Sequence, residues 1–131
     1  MGEALTIEVR HEQGCAILTV AGEIDISTVT PMRERLFEVA ASGAPLVVDL
    51  EQVSFIDSVG IAVLVGAAKR AAMHGGTLQV ACALPKIRQL VRLTGLDCRI
   101  PLTRTLDEAL EFRAVTSANP PCLSAQLVSA N

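Results

Sequence analysis

From Leu46 to Gly66 an apolar run, Leu46-Val47-Val48-Asp49-Leu50, leads through Phe55-Ile56 into the polar turn Asp57-Ser58, and a long helical pattern opens at once. A buried strand feeding directly into a helix commits this stretch to an α/β arrangement. Ser58 stands at the junction, where a hydroxyl can cap a helix by accepting from an orphan backbone N–H. The positive end of the helix dipole gathers at the same point, so added charge there is felt strongly. The junction is the first candidate for a recognition surface or a switch.

The flanking segments extend the alternation. Leu5–Val9 and Cys15–Ala21 are β-rich runs separated by His11-Glu12-Gln13-Gly14, a hairpin signal. Gly22–Pro31 reads as a loop entering a helix, with Thr28 and Thr30 as cap candidates and Pro31 tolerated in the first turn. On that helix Met32, Leu36, Val39 and Ala40 share one face, and Gly43 and Pro45 stop it. The helix from Ser58 runs to about His74, where Gly75-Gly76 ends it. A strand over Thr77–Ala83 follows, then a helix from Lys86 to Thr94 and a short extended piece near Arg99–Ile100. The last helix spans Thr105 to about Arg113, with Leu106, Ala109 and Leu110 facing inward. Strand alternating with helix requires parallel crossovers, here joined to an antiparallel N-terminal hairpin. The expected fold is a mixed sheet of about five strands with about four helices, mainly on one side. Residues 1–113 form the domain, and 114–131, rich in Ser, Ala, Asn and Pro, form a mobile tail.

Composition narrows the function. Of the 131 residues 50% are hydrophobic, so the chain builds a core without staples. A net charge of −3, an aromatic share of 2% and the lack of Trp and Tyr leave neither a basic stripe nor stacking rings for nucleic acid. Lys69 and Arg70 interrupt the best apolar window short of the roughly 18 residues a spanning helix needs. The N-terminus lacks the basic-then-apolar order of a signal peptide, so the expected location is cytoplasmic, without membrane insertion. Cys15, Cys82, Cys98 and Cys122 show no CxxC spacing, which argues against a metal site. Buried thiols are the simplest reading; a redox pair of Cys82 with Cys98 stays open, each lying near a strand end.

The helix after Ser58 carries two apolar faces. Ile61, Leu64, Val65, Ala68 and Ala72 suit packing on a sheet, while Val59, Ala62, Val63 and Gly66 form a second, smaller stripe. A neighbouring helix or a partner protein must cover the second. Catalytic chemistry finds little support. Asp25, Asp49 and Asp57 lie near strand ends, where parallel folds place their sites, but no Lys after a late strand completes a phosphoacceptor set. Gly60 and Gly66 do not have P-loop spacing, and Ser58 sits in no Gly-x-Ser-x-Gly elbow. No cofactor is expected.

Gly22-Glu23-Ile24-Asp25, Val47-Val48-Asp49-Leu50, Phe55-Ile56-Asp57-Ser58-Val59-Gly60-Ile61 and Thr94-Gly95-Leu96 together resemble the STAS domain of bacterial anti-sigma factor antagonists. The likeness runs from about Leu5 to Phe112. It implies a non-catalytic module that binds an anti-sigma factor, a kinase-like ATPase, and so frees a sigma factor for transcription. The docking residues it implies are Asp25, Asp57, Ser58, Val59, Gly60, Ala62, Val63 and Gly66. It also implies that the kinase phosphorylates a hydroxyl of an Asp-Ser-Ser/Thr-Gly motif and that a phosphatase reverses this. The acceptor that the resemblance implies is the second hydroxyl residue of the motif, and Val59 stands at that position here, so the chain escapes that control; alternatively the switch has moved to Ser58. An accessory subunit of a membrane transport system shares the fold and stays open as another role.

Overall fold

The computed structural model describes residues 5–93 and 100–115, with side chains to residue 110. Strands β1 (Thr6–Glu12) and β2 (Cys15–Ile24) form the hairpin, and helix α1 (Val29–Ala40) follows. Then come β3 (Leu46–Ile56), α2 (Ser58–Met73), β4 (Leu78–Ala81), α3 (Pro85–Leu93), β5 (Leu102–Thr103) and α4 (Leu106–Val115). The five strands lie in chain order across one sheet; β1 pairs antiparallel with β2 and every later pair is parallel.

Gln13 and Gly14 both have positive φ, 53° and 78°, so the hairpin closes on a two-residue turn whose twist matches the strands, with Glu12 opposite Cys15. At the other end of α1, Gly43 has φ 81°, and a Cβ there would sit 2.6 Å from the His74 carbonyl oxygen. Only glycine lets the two helix ends meet so closely.

The alternation along the strands sorts side chains onto two faces. Ala16, Leu18, Val20, Leu46, Val48, Leu50, Leu78 and Val80 point to one face and pack against Met32 and Leu36 of α1, Ile61 and Leu64 of α2, and Ile87 and Val91 of α3. Cys15, Ile17, Val47 and Ala81 point to the other face, where α4 rests through Leu106, Ala109 and Leu110. Three helices therefore cover one side and one helix the other.

Several boundaries differ from expectation. Strand β3 continues six residues past Leu50, because register shifts against β2 replace the two-residue period with Leu50, Val53 and Ile56, all buried. Strand β5 lies at Leu102–Thr103 rather than Arg99–Ile100; Ile100 is buried just ahead of it. Ala72 is exposed, and Gly60, Ala67 and Ala71 take its expected place against the sheet. Helix α4 reaches Val115; the rest of the tail, like the Thr94-Gly95-Leu96 motif, lies outside the described residues.

Candidate functional site

Strand β4 pairs with β3 only over Leu46–Asp49, whereas β2 accompanies β3 to its end, Ile24 opposite Ile56. The two strands thus run on past β4 as a ribbon that carries the β2–α1 loop and the start of α2. The Asp57 N–H donates to the Ile24 carbonyl at 3.2 Å and fastens the two exits together.

In the loop, Asp25 Oδ1 accepts from Ser27 N at 2.9 Å, Ser27 Oγ at 2.7 Å and Thr28 N at 3.2 Å. The Ser27 hydroxyl, then its N–H, hold the Asp25 carboxyl below the usual carboxylate range. Thr28 Oγ1 donates to the Glu23 carbonyl at 2.7 Å and accepts from Asp25 N at 3.0 Å. Thr28 is therefore the cap residue of α1 by position, but its hydroxyl closes the loop and makes no cap bond to the helix.

The expected role of Ser58 is corrected. Asp57, not Ser58, caps α2, its Oδ1 accepting from Val59 N at 3.0 Å and Gly60 N at 3.2 Å. Ser58 is the first helical residue, and its exposed hydroxyl makes no hydrogen bond among the described residues. Val59 is half-buried and packs against the edge of the main core. Of the two positions, the free oxygen atom belongs to 58, and a side chain at 59 is turned partly inward.

The second apolar stripe of α2 divides along its length. Gly60 is buried where a Cβ would lie 2.5 Å from Ile56 Cγ1 and 2.7 Å from Ile24 Cγ2, so the helix starts in contact with both strand ends. Val63 is buried, and Gly66 lies under the Phe37 ring of α1, whose Cζ would meet a Cβ at 2.9 Å. A neighbouring helix covers that end. At the other end Ala62 is exposed beside Ser58, one turn apart on the same face.

Asp25, Asp57, Ser58, Val59 and Ala62 thus share one edge, with Gly60 and Val63 beneath it and Gly66 roofed over. Asp49 does not join Asp25 and Asp57. It is buried on the α4 side, where Oδ1 accepts from Glu51 N at 3.0 Å and burial pushes its carboxyl up. Three exposed apolar side chains at this end of the sheet were not anticipated: Ile26 at 76%, Phe55 at 47% and Leu84 at 37%. Their signal was present, since Ile26 sits between Asp25 and Ser27 in a loop and Phe55 breaks the strand alternation.

Cys82 is buried, and that burial pushes its thiol up, away from the reactive thiolate. Cys98 lies outside the described residues. Among the described residues no three His, Cys, Asp or Glu side chains gather as a metal site, and no helix is long and apolar enough to cross a membrane.

The family model of the STAS domain matches residues 6–109, and the chain belongs to that family. It is 33% identical over 92 residues to the anti-sigma-B factor antagonist of Bacillus subtilis, covering 70% of this chain and 84% of that protein. The anti-sigma-F factor antagonist RsfB of Mycobacterium tuberculosis is 32% identical over 109 residues, 82% of this chain and 88% of its own length. A crystal structure of an anti-sigma factor antagonist from Mycobacterium paratuberculosis superposes with a TM-score of 0.76 at 35% identity, covering 82% of this chain and 92% of the other.

Proposed function

We propose that the chain is an anti-sigma factor antagonist that docks on a kinase-like anti-sigma factor through the edge around Ser58, Val59 and Ala62, and so frees a sigma factor for transcription. The observation that carries this reading is the character of that edge. Ile26 stands exposed in the β2–α1 loop and Phe55 at the end of β3, Ser58 and Ala62 are exposed and small on α2, and the Asp25 and Asp57 carboxylates are turned to backbone and hydroxyl donors of their own chain. Such a surface presents area to a protein partner and no acid or base aimed at a substrate.

A second reading concerns control. The free, exposed Ser58 hydroxyl favours that residue as the phosphate acceptor, and Val59 then gives no escape from the kinase. A phosphate at Ser58 would be tolerated by the helix N-terminus, yet it would place about 1.5 to 2 negative charges in the middle of an apolar contact. Docking would weaken by the resulting repulsion and desolvation.

The test is a calorimetric titration of the chain against each kinase-like anti-sigma factor of its own genome, then incubation with magnesium and ATP and intact-mass measurement. Binding by one of them is expected, with one phosphate gained by wild type and Val59→Ser and none by Ser58→Ala. No binding by any would remove the antagonist reading. Binding with no gain in wild type would return the switch to position 59.

A further inference from the structure

We infer that the seam between α1 and α2 is a second part of the docking surface and receives an acidic segment of the partner; this rests on the antagonist reading above. One face of α2 is exposed at both ends, with the Phe37 ring of α1 lying over Gly66 between them. Ser58 and Ala62 are exposed at its start, Gly66 is half-buried, and Lys69, Arg70 and Met73 are exposed at its end. Ser58 to Arg70 spans about 18 Å at the rise of an α-helix, within the reach of one partner element.

The two halves of that face differ in chemistry. The first is small and neutral. In the second, the guanidinium of Arg70 lies 5.1 Å from the centroid of the Phe37 ring, and that of Arg33, from α1, lies 5.0 Å from the same ring. Two like charges held on one ring repel each other, and neither forms an ion pair among the described residues; the recorded pairs are Arg10–Glu12 and Arg35–Glu38. The ring orients both side chains without neutralising them.

Nor is this an overall excess of base. The chain has 14 acidic and 11 basic residues, yet α2 and α3 carry Lys69, Arg70, Lys86, Arg88 and Arg92 and no Asp or Glu. Helix α1 of the same layer adds Arg33 and Arg35 but also Glu34 and Glu38, so the surplus of cations lies on α2 and α3, where it selects a partner surface rich in carboxylates and speeds encounter with it. The exposed Met73, at 81%, supplies an adaptable apolar contact at the far end.

The experiment measures association and dissociation rates of the full chain with the anti-sigma factor that binds in the titration above, at low and at high salt. The double variant Arg33→Glu/Arg70→Glu should associate at least about tenfold more slowly at low salt, with a smaller change in dissociation. Wild-type association should fall as salt rises, and the variant's should not. Equal association rates for wild type and variant at both salts would overturn the inference while leaving the antagonist reading intact. If the double reversal lowers the melting temperature, Arg33→Gln/Arg70→Gln carries the test, with a slowing in the same direction. If no anti-sigma factor binds wild type, the antagonist reading fails and this inference falls with it.

Discussion

The two faces of the sheet are built to different standards. Under α1, α2 and α3 the strands present Leu18, Val20, Leu46, Val48 and Leu50, closed over by Met32, Leu36 and Leu64, all essentially without solvent exposure. Under α4 the contact is small, Cys15, Ile17, Val47 and Ala81 against Ala109 and Leu110. Polar groups share that side. Asp49 is buried there, Thr19 pairs with it in register, and Gln79 Oε1 is buried with no hydrogen-bond partner among the described residues. The first face supports the docking edge and has no tolerance for voids. The second tolerates unmet polar groups, so it contributes less to stability and constrains the edge less.

Truncating one leucine on each face tests that contrast most strongly. Leu64→Ala removes a side chain enclosed by two helices and the sheet, and should destabilise by about 3 to 4 kcal/mol. Leu110→Ala, on the single helix α4, should cost about 2 kcal/mol. Urea denaturation with an unchanged slope reads both directly. Equal losses would mean that the α4 side is packed as tightly as the helical layer.

A smaller effect separates adjacent residues at the edge itself. Asp57→Ala deletes the acceptor for Val59 N and Gly60 N and should cost about 1 kcal/mol. Ser58→Ala removes a hydroxyl with no bond among the described residues and should stay within about 0.5 kcal/mol of wild type. The reverse order, read from the same denaturation curves, would restore Ser58 as the cap.

How far this was legible in the sequence follows from what each signal reports. The element order, the hairpin and the small stripe on α2 follow from periodicity and from Gly and Pro, which act locally. The end of β3 was hidden because a bulge alters the period there, an effect of pairing with β2 that no single strand displays. The cap went to Ser58 over Asp57 because both types cap helices, and the choice turns on one residue of backbone geometry. Convergence was the harder matter. Asp25, Asp49 and Asp57 look alike along the chain, yet alternation sends Asp49 to the opposite face. Phe37 belongs to no motif, and only the packing of α1 on α2 sets it between two arginines.

The smallest expected effect compares Asp49 with Asp25 by pH. Burial raises the Asp49 carboxyl, with the neighbouring Glu51 charge adding to this and the Glu51 N–H and Arg10 opposing it, so the folded state holds its proton more tightly than the unfolded state does. Its charge therefore costs stability above the folded pKa, and the cost is relieved as pH falls through that value. Asp49→Asn keeps an oxygen for the Glu51 N–H and should be the more stable protein at neutral pH, by under about 1 kcal/mol, the gap narrowing on acidification. Asp25 is the opposite case, its folded pKa being lowered by Ser27 and Thr28. Its contribution is present above the unfolded pKa and lost as pH falls through the folded one. Asp25→Asn should therefore be the less stable protein at neutral pH, with its deficit closing in acid. Melting temperatures of the two variants against wild type from neutral to acid pH should diverge in sign. Two curves of the same sign would show that the carboxylate on the α4 side is solvated, and that this face is not the buried polar surface described above.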